Sequence, residues 1–334
     1  MIRHSSVPKF LAAALGLLLA AGAMAADAGH YVIGERVAAK TPGKVQPGLL
    51  LMGGGDRNFD AMHWFMKKAG NGHIVVLRAS QAGEIGEEFF NEVGGIKSVE
   101  TFVFNDRDAS TDPKILAALK RADGIFLAGG DQSRYVRFWR GTPIADALDA
   151  HVRAGKPLAG TSAGLAMQGE YLYGAMDGGS QVSPAALADP LGDGNTIETG
   201  FLHIAQLKGV ITDTHFSERA RLGRLIAFVA KGERLAGKPL IGLGVDEDAA
   251  VAVEGDGRAR LRHRARRRRD RGQGRLRAEA GRGHRDEPGP GSIRWSPAWS
   301  RCCTCPRAAS RNRWRSATLP CGMACWWRWM RLCW

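Results

Sequence analysis

Cysteine is absent from the first three hundred residues of this 334-residue chain; all six (Cys302, Cys303, Cys305, Cys321, Cys325 and Cys333) lie near its end. The body therefore has no cysteine nucleophile, disulfide or thiolate-ligated metal. The Cys302/Cys305 and Cys321/Cys325 spacings imitate a zinc pattern, but no strand or helix framework accompanies them, and no metal is expected. Also missing are a G-x-x-x-x-G-K-[ST] loop and a full dinucleotide fingerprint. Gly53-Gly54-Gly55 is thus not read as a phosphate cradle, and no cofactor is expected. Lysine disappears after Lys238.

Only one long apolar run occurs, Phe10 to Ala23, behind a positive Arg3, His4 and Lys9 and ahead of Ala23-Met24-Ala25. It is short for a membrane span and carries small residues where a signal peptidase cuts. Residues 1–25 read as a secretory signal removed before Ala26. The expected product is periplasmic or extracellular, with no stable membrane insertion after cleavage.

The formal net charge of +14 suggests a nucleic-acid partner until the charge is located. From Gly257 to Trp334 there are 21 Arg, no Lys and 4 acidic residues. Set against 47 basic and 33 acidic residues overall, this leaves residues 1–256 with a net charge of −3. No nucleic-acid partner is expected for such a body. Seven of the nine Trp lie between Trp295 and Trp334, beside the run Arg264 to Asp270, and no apolar period of 2 or 3.6 runs through this region. Disordered basic arms are poor in Trp and Cys. Residues 257–334 read instead as an aberrant, disordered tail, out-of-frame translation of a GC-rich gene that begins within Gly257–Arg262.

Between Ala26 and Asp256, apolar runs bounded by glycine alternate with helical spacing. Strands are predicted at Leu49–Met52, His73–Leu77, Val99–Phe104, Gly124–Ala128, Pro157–Gly160, Val210–Thr212, Leu240–Val245 and Ala249–Val253. Helices are predicted at Phe59–Lys68, Pro113–Arg121, Ile144–Ala154 and Arg219–Ala230, with Asp112 and Pro113 as a helix start. Near-continuous apolar strands are those covered on both faces. The pattern predicts an α/β fold, doubly wound, with a mostly parallel sheet flanked by helices. Tyr171 to Phe201, rich in Gly, Asp and Pro, is expected to be a substrate-facing loop.

Gly160-Thr161-Ser162-Ala163-Gly164 follows the apolar Pro157-Leu158-Ala159 and precedes a potential helix. A G-x-S-x-G sequence in that setting is a nucleophile elbow, in which a tight turn lifts the hydroxyl above the sheet edge. The serine needs a base, and the base an orienting acid. His203 and His215 are the downstream histidines. His215, in Asp213-Thr214-His215-Phe216, is framed by a strand and a helix, whereas His203 lies in a glycine-rich segment. Asp246 and Glu247 end a strand and point to opposite faces, so one of them can serve. Backbone N–H groups of Ala163 and Gly130 are candidates for the oxyanion hole; an ordinary strand-to-loop turn is the plainer reading of Gly129-Gly130.

The order Ser, His, Glu differs from that of α/β-hydrolases. Phe126-Leu127-Ala128-Gly129-Gly130-Asp131-Gln132, the Ser162 elbow, Asp213-Thr214-His215-Phe216 with Arg219, Arg221 and Arg224, and Gly242-Leu243-Gly244-Val245-Asp246-Glu247 together resemble the cyanophycinase family of serine peptidases, related to aspartyl dipeptidase. The resemblance covers roughly Leu49 to Val253. It implies a fold similar to class I glutamine amidotransferases and a catalytic Ser162, His215 and Glu247. It also implies Gln132, Asp213, Arg219, Arg221 and Arg224 around the substrate. That substrate is cyanophycin, a poly-aspartate carrying arginine on each side chain, cleaved to β-Asp-Arg dipeptides, or another aspartyl peptide; a homodimer is left open. Guanidinium groups suit carboxylates and Asp213 or Gln132 suits amines, although a solvated helix face also explains the three arginines. The family usually has Gln where this chain has Thr214. A non-catalytic binding protein on the same fold is the alternative if the altered end has removed activity.

Overall fold

The computed structural model describes residues 29–34, 43–79 and 85–263. All belong to the first of two units into which the chain divides, Met1–Trp295. The expected signal segment, the cysteines and the basic run from Arg264 onward lie outside the described residues, as does the whole second unit, Ser296–Trp334.

Among the described residues, twelve strands form two sheets. They are β1 (His30–Gly34), β2 (Gly48–Met52), β3 (His73–Arg78), β4 (Ser98–Val103), β5 (Gly124–Leu127) and β6 (Leu158–Thr161), then β7 (Tyr171–Tyr173), β8 (Ile197–Thr199), β9 (Val210–Asp213), β10 (Ile241–Gly244), β11 (Ala249–Glu254) and β12 (Ala259–His263). The larger sheet runs β1-β4-β3-β5-β6-β2-β11-β12. Its five central strands, β4-β3-β5-β6-β2, are parallel, and the outer strands are antiparallel. The smaller sheet runs β10-β9-β7-β8, with only β8 antiparallel.

Both faces of the large sheet are covered, as the unbroken apolar strands require. Leu49 and Leu51 of β2 join Val75, Leu77, Ile125 and Leu127 in one core. The intervening Leu50 and Met52 join Ile74, Val76 and Phe126 in the other. The first core is closed by α2 (Pro113–Arg121), α3 (Gln132–Trp139) and α4 (Pro143–Arg153), the second by α1 (Phe59–Lys68). This is the doubly wound, mostly parallel α/β architecture that the alternation predicts.

Local chemistry fixes the helix starts. Asn58 caps α1 by accepting from Ala61 N at 3.1 Å, and Asp112 caps α2 by accepting from Lys114 N at 2.7 Å, with Pro113 next. Asp131 caps α3 through Ser133 N at 2.9 Å. The sequence pattern did not single out α3, because its polar face dominates an eight-residue span.

Three boundaries differ from expectation. Tyr171 to Phe201 is not one loop: it contains β7, α6 (Ser183–Ala188) and β8. The helix expected from Arg219 is α7, Leu222–Ala236, because Ala220 holds a positive φ (48°) and delays it. The body does not end at Asp256. β12 pairs antiparallel with β11 and carries the sheet to His263, beyond the expected start of a disordered tail.

Candidate active site

The elbow is built from close contacts that only glycine allows. A Cβ on Gly160 would overlap the Gly164 carbonyl, and one on Gly164 would overlap the carbonyl of Leu127 on β5. α5 (Ala163–Ala166) can therefore press directly onto β5 and β6. Ser162 sits between β6 and α5 at φ 52°, ψ −119°, outside the ordinary regions for a residue with a side chain. Such a conformation costs on the order of 1–3 kcal/mol and persists only where its surroundings enforce it. Here Ser162 N donates to Met52 O at 3.0 Å.

His215 is placed by the other sheet. It follows β9, and its backbone N donates to Gly53 O at 2.8 Å, beside the end of β2. A Cβ on Gly54 would run into the imidazole, and one on Gly53 would overlap the carbonyl of Asp246. The glycine triplet thus cradles the histidine and the turn after β10. Ser162 Oγ and His215 Nε2 are 2.7 Å apart, and His215 Nδ1 lies 2.5 Å from Glu247 Oε1. A carboxylate only accepts, so Nδ1 carries the proton and Nε2 faces the hydroxyl with its lone pair. Of the two strand-end acids, Glu247 completes the relay, while Asp246 accepts from Ser217 N at 2.8 Å. His203 is paired with Asp149 at 2.7 Å and takes no part.

Burial lowers the His215 pKa below its ordinary value; the hydrogen bond to Glu247 opposes this, and the charges of Arg219 and Arg221 add to it. The ring is therefore a free base at neutral pH, the state a general base requires.

A cavity of about 180 Å³ opens at the serine, with Ser162, His215, Gly54 and Gly129 in its wall. Gly129 comes close enough that a Cβ would lie 3.4 Å from Ser162 Cβ. Gly130, at φ 142°, does not line the cavity. Ala163 is the first residue of α5, where N–H groups lack partners within the helix.

The expected substrate clamp is only partly in place. Arg224 is 2% exposed and turned inward. It grips Asp213 in bidentate fashion, Nε to Oδ2 at 2.7 Å and Nη2 to Oδ1, and donates to Gln181 O at 3.0 Å. It also lies over the rings of Tyr173 and Phe228. Arg221, also buried, donates to Thr214 O at 2.8 Å and Thr214 Oγ1 at 3.2 Å. Burial and the neighbouring Arg224 push its pKa to about 10, so it stays charged at neutral pH. Asp213, Arg221 and Arg224 are thus paired with one another in an internal knot. Two guanidinium groups can be held inside only by such pairing. The Gln132 amide is committed to Tyr173 O. Arg219 alone of the three arginines is exposed.

Two residues that sequence patterning missed, Arg57 and Arg78, line the cavity. Arg57 follows the glycine triplet, and Arg78 ends β3 at the same edge of the sheet; neither belongs to a recognisable motif. Among the described residues no group of three or more His, Cys, Asp or Glu is placed to hold a metal ion, and no helix is long and apolar enough to cross a membrane.

A serine relayed through histidine to a carboxylate at the rim of a parallel sheet defines a serine-type peptidase. Residues 49–260 match Peptidase family S51, and the chain belongs to that family. The protein named cyanophycinase from Trichormus variabilis is 31% identical over 221 residues, which is 63% of this chain and 68% of that protein. Cyanophycinase from Synechococcus elongatus is 34% identical over 168 residues, 50% of this chain and 47% of its own. Among solved structures, a peptidase from an acI-B1 Actinobacterium aligns over 66% of this chain and 89% of its own at 16% identity, with a TM-score of 0.47.

Proposed function

We propose that this family S51 peptidase is a secreted enzyme that hydrolyses cyanophycin or other aspartyl peptides through an acyl-enzyme. The observation that carries the chemistry is the continuous relay Ser162 Oγ, His215, Glu247, with gaps of 2.7 and 2.5 Å. The Ser162 oxygen attacks the scissile carbonyl carbon while Nε2 of His215 takes its proton. Glu247 holds the resulting imidazolium. The N–H group of Ala163 receives the oxyanion, whose collapse breaks the C–N bond and passes the proton to the leaving amine. Water, deprotonated by the same ring, then releases the acid and restores the serine.

The relatives named cyanophycinase support the polymer as substrate. The inward Asp213–Arg224 pair and the buried Thr214 favour a second reading, a preference for shorter aspartyl peptides, because groups suited to a branched arginine are occupied internally. Incubating the purified protein with cyanophycin, and in parallel with aspartyl dipeptides, and following β-Asp-Arg or free aspartate by mass spectrometry tests both. β-Asp-Arg release supports the polymer reading, and dipeptide cleavage alone supports the second. A folded protein releasing neither refutes the assignment. Export is supported by the composition of residues 1–25, and comparing cell fractions for the processed chain tests it.

A further inference from the structure

The His215 ring and the Glu247 carboxylate stand on separate turns, one after β9 and one after β10. These strands pair in parallel as far as Asp213 and Gly244. Two backbone bonds extend the pairing, from Val245 N to Asp213 O at 3.0 Å and from Phe216 N to Val245 O at 3.3 Å. Further out, side chains join the turns. Asp246 Oδ1 reaches from the acid turn and accepts from Ser217 N at 2.8 Å. Glu218 Oε2 reaches back from the histidine turn and accepts from Glu247 N at 3.1 Å. We propose that Asp246 and Glu218 are positioning residues, a reciprocal pair of straps that fixes the spacing between the His215 ring and the Glu247 carboxylate. The proposal rests on the serine-peptidase reading and adds what keeps its relay aligned.

The directions of the two bonds carry the argument. Because they cross in opposite senses, neither turn can slide past the other without stretching one of them. One strap ends on the backbone of Glu247 itself, the other close behind His215. His215 holds φ 44°, a strained conformation that its surroundings must enforce. On its far side the acid turn is anchored to the glycine loop, with Asp248 N donating to Gly54 O at 3.0 Å. The straps therefore couple a strained turn to a fixed one. A carboxylate acceptor makes each bond stronger than a neutral one would be. Ser217 and Glu218 are exposed, so water can satisfy a vacated N–H and the fold loses little. Water does not set the distance between the turns. Loss of a strap is thus felt in alignment and not in stability.

The test uses the full chain and its Glu218→Ala, Asp246→Ala, Glu218→Gln and Asp246→Asn variants. Ser162 is titrated to completion with a neutral fluorophosphonate, and every rate is expressed per labelled site, so misfolded protein does not count. The labelling rate and the kcat and KM for an aspartyl aminomethylcoumarin amide are then compared. Each alanine variant is expected to label about tenfold more slowly and to lose about tenfold in kcat, with KM within about twofold. That loss is a fraction of the roughly 100-fold that a 1 Å displacement costs. Gln and Asn keep an oxygen acceptor without the charge and should hold both rates within about threefold of the parent. Thermal midpoints should stay within about 2 °C. Parental rates in either alanine variant overturn the reciprocal straps. A loss carried by KM overturns them too, as does an equal loss in the Gln and Asn variants, which would assign the effect to charge. Failure of the parent to label or to hydrolyse instead removes the peptidase reading, and the straps' role with it.

Discussion

Gly54 and the imidazole of His215 occupy adjoining space with no room for a methyl group between them: at φ 117°, Gly54 presents the face on which a Cβ would meet the ring. Its backbone is held, because Gly54 O accepts from Asp248 N at 3.0 Å and Gly53 O from His215 N. In Gly54→Ala the ring must move instead. A displacement near 1 Å costs on the order of 100-fold in rate. Steady-state hydrolysis of an aspartyl substrate should show that loss in kcat with little change in KM. A variant with the parental kcat would mean that the ring has slack.

Ser162 holds φ 52° and ψ −119° at a cost that glycine does not bear. Ser162→Gly is expected to lose activity by on the order of 10⁶, the cost of removing such a nucleophile. It should nonetheless gain about 1 kcal/mol in stability as the strain disappears. Urea unfolding of the two proteins measures the gain; a less stable variant would show that the elbow is not strained.

The pKa of His215 is depressed, so the ring remains a base as pH falls below 6.5, and kcat/KM should decline only under that value. Arg219 contributes to the depression. Arg219→Gln removes a like charge, raises the histidine pKa and moves the acid limb upward. A profile of kcat/KM from about pH 4 to 8 reads the shift in the free enzyme. An unmoved limb would separate Arg219 from the ring.

Arg224 and Arg219 should part company in stability. Arg224→Met takes the bidentate partner from the buried Asp213 carboxylate and leaves it Arg221 at 3.6 Å, and breaking a buried pair from one side costs about 3–5 kcal/mol. Arg219→Ala, at an exposed position, should stay within about 0.5 kcal/mol. Thermal unfolding distinguishes them. Equal and small losses would return Arg224 to the substrate.

The elbow and His215 were legible in the sequence because each combines a chemical group with the turn that aims it. The parallel core was legible because β2, β3 and β5 carry no polar interruption. The arginines after His215 were not: their spacing fits a clamp or a wet helix face, and only the fold brings Asp213, Tyr173 and Phe228 around Arg224. Arg57 and Arg78 were invisible for the opposite reason, being single residues from separate strand ends that meet only once the sheet is formed. The edge strands β1 and β8 are short and only partly covered, so their composition gives little signal. The choice between Asp246 and Glu247 required the fold as well as the family resemblance.

The hydrogen bond from Ser162 N to Met52 O fastens the elbow within the larger sheet, and that from His215 N to Gly53 O ties the smaller sheet to the adjacent carbonyl of the same strand end. Neither fastening involves a side chain. Mutational drift in the smaller sheet can therefore reshape which peptides are admitted while the reactive pair keeps its alignment. A change that shifts the end of β2 should silence the enzyme whatever it was admitting.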